Sequence, residues 1–212
     1  MKQYGKSLVV TLSLFLSTTA LVGLASAEDG AQAEVRKADL GFSVGAGAGV
    51  ANFDDFDTTQ FAWRVQAAYS PCKWIAGEIE WLDLGAPNNK FQLFQPNGSP
   101  SGDPAKVEMA ASGFNLSVVP VLPLGDDWTL FAKLGGYFWD GNFAGAKGGN
   151  WSSDMSFGAG VTYKLFPTFG AGVKAEWTRV MLEVGGQSFS AGSMPSFNDP
   201  VDVFTVGAFF LF

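Results

Sequence analysis

The feature that most constrains this chain is a two-residue period. From Gln60 to Tyr69 the odd positions are Phe61, Trp63, Val65, Ala67 and Tyr69, and the even ones are Gln60, Ala62, Arg64, Gln66 and Ala68. Successive side chains of a strand point to opposite faces, so this spacing gives one apolar face and one mixed face. Leu40 to Val50 repeats the pattern, setting Leu40, Phe42, Val44, Ala46, Ala48 and Val50 against Gly41, Ser43, Gly45, Gly47 and Gly49. Met155 to Leu165 and Phe169 to Trp177 do the same. Trp74 to Leu84, Val107 to Val119, Trp128 to Asp140 and Val201 to Phe212 follow it less strictly, which brings the expected strands to eight. Beyond the N-terminal segment, every apolar run is broken by charge, Gly or Pro before the ~18 residues that a helical membrane span needs.

The connectors alternate in length. Long ones at Ala51 to Thr59, Gly85 to Lys106, Gly141 to Asn150 and Met181 to Pro200 are rich in Gly, Asn, Asp, Ser and Pro. Between them lie the tighter links Ser70 to Lys73, Pro120 to Asp127 and Phe166 to Pro167. Short turns at one end and long loops at the other are the pattern of an outer-membrane barrel, with the short turns periplasmic. The expectation is an all-β, transmembrane, eight-stranded antiparallel up-and-down β-barrel over residues 39–212, with both termini periplasmic. Eight spans of about 10 residues use roughly 80 positions, whereas sixteen would use roughly 160 and leave too few for long outer loops.

The N-terminus reads as an address. Lys2 and Lys6 precede an apolar stretch from Leu8 to Leu24, which ends in Ala25-Ser26-Ala27 before Glu28-Asp29-Gly30. Residues 1–27 are therefore expected to be a cleaved secretory signal peptide, and residues 28–38 a short periplasmic segment. The chain would pass the Sec translocon and then reach the outer membrane of a Gram-negative cell.

Composition narrows the function classes. With 20 acidic against 13 basic side chains, the chain cannot neutralise a row of phosphates, so no nucleic-acid partner is expected. One Cys excludes an internal disulfide framework and a Cys-based zinc site, and the absence of His removes the usual general base and metal ligand. The chain is therefore read as a non-enzyme without cofactor, metal or catalytic residues. Asp54, Asp55 and Asp57 in the first loop lack a defined cation-ligand spacing and read as a solvated acidic loop. Gly45, Gly47 and Gly49 have no helix after them, so they are not a phosphate-binding turn. Cys72 reads as an incidental thiol in a short turn.

A soluble barrel with its aromatic face inward is the competing arrangement. Against it, an outward aromatic face places Tyr69, Trp128, Tyr163 and Phe169 near the short-turn end. It places Phe61, Trp81, Phe138, Trp151 and Trp177 toward the other, giving two interfacial girdles. The Gly-rich opposite face suits the narrow interior of an eight-stranded barrel.

Several stretches resemble the OmpA-like eight-stranded outer-membrane barrels. They are Gly113-Phe114-Asn115-Leu116-Ser117 leading to Leu122-Pro123-Leu124, and Leu130 to Trp139. Phe157 to Pro167 followed by Lys174-Ala175-Glu176-Trp177 is similar to the family's last hairpin. The resemblance covers Asp39 to Phe212 and is most specific from Gly113 to Trp177. It implies that the alternating face ending in Phe210 and Phe212 is the signal read by the barrel-assembly machinery. Nothing after Phe212 matches the peptidoglycan-gripping domain of the two-domain members, so a single-domain member is expected. Inward Phe209 and Leu211 are more apolar than that end of the lumen usually is.

The pleat aims Arg64, Glu78, Glu80, Lys133, Lys174 and Glu176 at the lumen near mid-height, three cations facing three anions. A static ion-pair core is preferred to a functional gate, because ion pairs need no function to exist. Lys174 is expected to be the central cation, bridging Glu176, Glu78 and Glu80. The functional expectation is a structural and surface-interaction protein whose barrel sits among outer-membrane lipids and whose loops meet extracellular ligands. The alternative is a small, low-conductance porin-like channel for ions or small solutes.

Overall fold

The computed structural model describes residues 41–212 apart from 55, 96–97, 101–104, 144–149, 167–169, 186, 190–191 and 195. The expected leader and the segment at 28–38 lie outside the described residues, as do Asp55 and the girdle residue Phe169. The described residues contain no helix.

Eight strands make the barrel wall: β1 (Gly41–Phe53), β2 (Thr58–Cys72), β3 (Ile75–Asp83), β5 (Ala105–Leu124), β6 (Trp128–Phe143), β7 (Asn150–Phe166), β8 (Ala171–Val184) and β11 (Phe197–Leu211). Each is antiparallel to its neighbours, and two ladders close the ring. Last meets first through pairs such as Ala46 with Ala208, and β3 meets β5 through pairs such as Trp81 with Phe114. Three short strands decorate the long-loop end. β4 (Asn88–Phe91) pairs with β5, while β9 (Gln187–Phe189) and β10 (Gly192–Met194) form a hairpin. At the opposite end Gly125, with φ of +78°, turns the chain tightly between β5 and β6.

The strands run further than the alternation implied. β8 continues to Val184 and β11 starts at Phe197, so much of the stretch from Met181 to Pro200 expected as loop is strand, in register through pairs such as Glu183 with Asn198. Likewise, the link expected at Pro120 is still strand as far as Leu124.

The reason lies in a switch of polarity along each strand. Low on β8, Val173 faces outward and is exposed, with Ala175 and Trp177 on the same face; higher up, the buried residues are Val180, Leu182 and Val184 on the other face. On β11 the buried pair Val201 and Val203 gives way to outward Phe204, Val206 and Phe210. β1 changes at Val50 to Ala51, and β3 between outward Ile79 and Trp81 and inward Leu82. Where lipid surrounds the wall the apolar face points out, and where water surrounds it the apolar face points in. This switch line marks the outer edge of the apolar belt. Aromatic pairs brace both edges: Phe42 with Tyr69 and Trp128 with Tyr163 on the short-turn side, Trp81 with Phe114 and Phe157 with Trp177 on the other.

Above the switch line the interior is a packed core, apolar apart from the buried Asp199 on the inner face of β11. It includes Phe53, Leu82, Leu84, Met109, Tyr137, Trp139, Leu182 and Val201, with Phe56 from the first outer loop and Leu93 from the second. Tyr137 and Trp139 are wholly buried, and their polar atoms are matched: the Tyr137 hydroxyl donates to the Leu82 carbonyl at 3.0 Å, and the Trp139 indole to Asp154 at 2.6 Å.

Candidate functional site

Below that core lies a charged layer. Arg64 comes from β2, Glu78 and Glu80 from β3, Lys133 from β6, and Lys174 and Glu176 from β8. The two-residue spacing of Glu78 with Glu80, and of Lys174 with Glu176, puts both members of each pair on the inner face. All six are buried. Gly47, opposite Arg64 on β1, leaves room for the guanidinium, since a Cβ there would sit 3.3 Å from Arg64 Nε.

The structure brings all six together, with one correction to the expected arrangement. Lys133, not Lys174, is the central cation. Its Nζ lies 2.6 Å from Glu78, 2.8 Å from Glu80 and 2.9 Å from Glu176. Lys174 reaches Glu78 at 2.7 Å and Glu176 at 2.8 Å, and has no ion pair with Glu80. Lys174 Nζ instead donates to the Gln66 side-chain amide oxygen Oε1 at 3.0 Å and lies over the face of Phe131, 4.6 Å from its centroid. Arg64 pairs closely with Glu176 and at 3.5 Å with Glu80.

Neutral side chains complete the layer, and the alternation gave no reason to single them out. Asn115 donates to Glu80 at 2.9 Å and accepts from the hydroxyls of Ser156 and Ser117 at 2.8 and 3.2 Å. Thr178 donates to Glu176 at 2.8 Å. Gln66, Asn115, Ser117, Ser156 and Thr178 are small or amide-bearing residues on inward positions beside the charges, which is the signal that could have found them. Each of the six charges thus has an opposite partner, which burial requires, and Arg64 Nε is the layer's atom left without a hydrogen bond or ion pair.

Among the described residues, Glu78, Glu80 and Glu176 are the one trio of carboxylates close enough to share an ion. The Lys133 ammonium contacts all three. On the periplasmic side the layer is covered by Ala76, Val119, Val121 and Phe131. Inward Phe209 lies against Gly172, where a Cβ would collide with its ring. Of the other sequence candidates, Asp54 and Asp57 are exposed on the first loop and Gly45 faces inward on β1. Cys72 is a half-buried free thiol at the end of β2. Phe210 and Phe212 are exposed on the outer wall, and the Phe212 amide donates to the Phe42 carbonyl at 2.8 Å.

A family model for the OmpA-like transmembrane domain matches residues 20–210. The chain belongs to the OmpA-like transmembrane domain family. Its place is therefore the Gram-negative outer membrane, where the belt of outward Phe, Trp, Val and Leu meets lipid. Solved structures agree in fold. Neisserial surface protein A (NspA) matches with a TM-score of 0.54 at 13% identity, over 81% of this chain and 97% of that one. The outer membrane protein OprG from Pseudomonas aeruginosa matches with a TM-score of 0.51 at 12% identity, over 82% and 97%. A search of curated proteins finds no match. Within this OmpA-like barrel, the charged layer lies between two apolar layers.

Proposed function

We propose that this OmpA-like barrel is a sealed anchor with a surface-interaction role, rather than a pore or an enzyme. The observation that carries this reading is the stack inside the wall. A hydrated ion entering from outside would have to displace Phe53, Leu84, Met109 and Trp139, which are each 2% exposed or less. It would then meet a charge-balanced layer with no surplus of either sign to attract it.

The outer loops support the second half of the reading. Phe94 of the second loop and Ser193 of the fourth form a β-bridge, with amide-to-carbonyl distances of 2.8 and 2.7 Å. Leu93 beside it and Phe56 of the first loop are rooted in the apolar core. The second and fourth loops are thus tied to each other, and the first and second to the core within the wall, which presents a preorganised surface to a partner. The absence of His and the full pairing of the lumen charges support a non-catalytic role.

The test compares cells carrying the wild-type barrel with cells whose residues 86–104 and 186–196 are replaced by short turns. Attachment to protein-coated surfaces and uptake of a small hydrophilic solute are measured side by side. The proposal expects attachment to fall and uptake to match cells lacking the protein. Solute uptake that rises with wild-type barrel, or attachment indifferent to the loops, would overturn it.

A further inference from the structure

One ladder of the wall stops while both its strands go on. β7 and β8 pair from Phe166 with Ala171 up to Ser156 with Val180, yet β7 begins at Asn150 and β8 runs to Val184. On their other sides these upper stretches are held, by β6 as far as Gly141 with Asn150 and by β11 as far as Phe197 with Val184. Each is therefore a strand with one spare edge. Continued upward, the register would set Ser153 against Glu183, but the Glu183 amide donates instead to Asp154 Oδ2 at 3.2 Å, the oxygen that also takes the Trp139 indole. A side chain stands in for a backbone partner. Because Ser153 and Glu183 share a rung of this register, the backbone groups of Ser153, and of Trp151 two residues away, are those that face the seam.

The seam opens above the switch line, where inward Val180, Leu182 and Val184 keep the core closed behind it. Spare backbone groups there meet water, which hydrocarbon would not allow. The borders of the seam are acidic. Asp154 and Glu183 flank it, and Asp140 stands beside Trp151 in the β6 register. Among the described residues no Lys or Arg forms an ion pair with any of the three. Arg179, lower on β8, is spent on Asp202. Trp151, 69% exposed, lies on the outer face of the same edge.

We propose that this seam is a docking edge for an extended basic segment of a partner protein, which adds as a strand along residues 150–153 of β7 and sets a Lys or Arg side chain between Asp154 and Glu183. Such docking rests on the surface-interaction reading above and gives the partner's chemistry. Backbone hydrogen bonds to Trp151 and Ser153 supply affinity, and side chains alternating along the added strand supply specificity. The acids choose the occupant. A second copy of this chain would bring Asp154 and Glu183 against the same carboxylates, and a neutral strand would leave them unbalanced. Trp151 suits a basic segment too, because an exposed indole attracts a cation to its face and is covered by the aliphatic stem of Lys or Arg.

The experiment uses the barrel refolded in phospholipid nanodiscs, with folding verified by heat-modifiable gel migration. The probes are short fluorescent peptides of alternating Lys and Val, of alternating Glu and Val, and of Lys and Val N-methylated throughout. Fluorescence anisotropy reads binding, and hydrogen exchange followed by mass spectrometry locates it. The Lys-Val peptide should bind wild type saturably and protect the amides of Trp151 and Ser153, while the acidic and methylated peptides should not bind. Ser153→Pro removes a seam-facing N–H and leaves the β6 ladder its donors. Asp154→Asn combined with Glu183→Gln removes the charge. Each change should weaken binding roughly tenfold, the scale of one hydrogen bond to a charged group; if Ser153→Pro does not fold, the charge variant carries the test. Equal binding by wild type and the charge variant, or protection that maps outside residues 150–155 and 181–184, would overturn the proposal. So would disulfide-linked dimers of Ser153→Cys in a Cys72→Ser background, which would give the edge to a second copy. Every variant here keeps the loops at 86–104 and 186–196, so a peptide that fails to bind overturns the docking edge alone, whereas cell attachment indifferent to those loops overturns the broader reading.

Discussion

Replacing Lys133 by Met tests the charged layer at its centre. Met keeps most of the side-chain length and removes only the ammonium, so the loss reports charge rather than a cavity. In the native layer three cations balance three carboxylates; without Lys133, Glu78 keeps only Lys174, Glu80 keeps only Arg64 at 3.5 Å, and Glu176 keeps both. No carboxylate is left bare, but one excess negative charge stays buried between apolar layers. Removing one partner of a buried ion pair costs about 3–5 kcal/mol, and that is the loss expected here. Lys174→Met should cost less, because Glu78 and Glu176 both retain the Lys133 contact. Adding Glu80→Gln to Lys133→Met restores charge balance and should recover about 1–2 kcal/mol, within the range measured for coupled contacting residues. Urea unfolding of barrel refolded in lipid, followed by tryptophan fluorescence, gives each value. A Lys133→Met barrel within about 0.5 kcal/mol of wild type, the range of ordinary surface changes, would refute the reasoning. Strict additivity of Lys133→Met and Glu80→Gln would show that the two residues are uncoupled.

Three further outcomes are expected. Leu182→Ala, in the packed outer half of the lumen, should lower stability by about 2–5 kcal/mol, as cavities in close-packed cores do; the same unfolding assay checks it, and a loss below about 1 kcal/mol would mean that water already fills that half. In a Cys72→Ser background, cysteines at Asp54 and Gln95 should react with an impermeant thiol reagent on intact cells while one at Asp126 stays protected, and the reverse pattern would invert the barrel. Deleting Phe212 should lower the yield of folded barrel in cells more than in detergent refolding, because its ring is exposed on the outer wall and contributes little packing; equal losses would make its role structural.

Much of the fold was legible because lipid enforces a strict alternation. Val206, Ala208, Phe210 and Phe212 on one face declare both a strand and its orientation, and the six lumen charges follow from the same parity. What was hidden is the half of the wall above the bilayer. There Val180, Leu182 and Val184 alternate with Met181 and Glu183, so the period persists while the apolar face changes sides. Beside Gly, Ser and Asn, that reversed phase resembles a loop with scattered hydrophobics. Looking for a phase reversal rather than an end to alternation would have found the outer core in β1, β3, β8 and β11. The centre of the ion layer was misassigned for a different reason. Parity sets which face a residue occupies, and strand direction approximates its height. Which ammonium reaches three carboxylates instead depends on barrel stagger and on competing groups such as Gln66 and Phe131, which draw Lys174 aside.

The central claim, that an apolar core above a balanced ion layer seals this barrel, is tested most directly by planar-bilayer recording on refolded protein, with Lys133→Met beside the wild type. The account predicts no resolvable current steps for wild type, and none for Lys133→Met, because Trp139, Met109 and Leu84 still close the outer half when the ion layer is disturbed. Reproducible single-channel openings from the wild-type barrel would contradict it and make the lumen a conducting path.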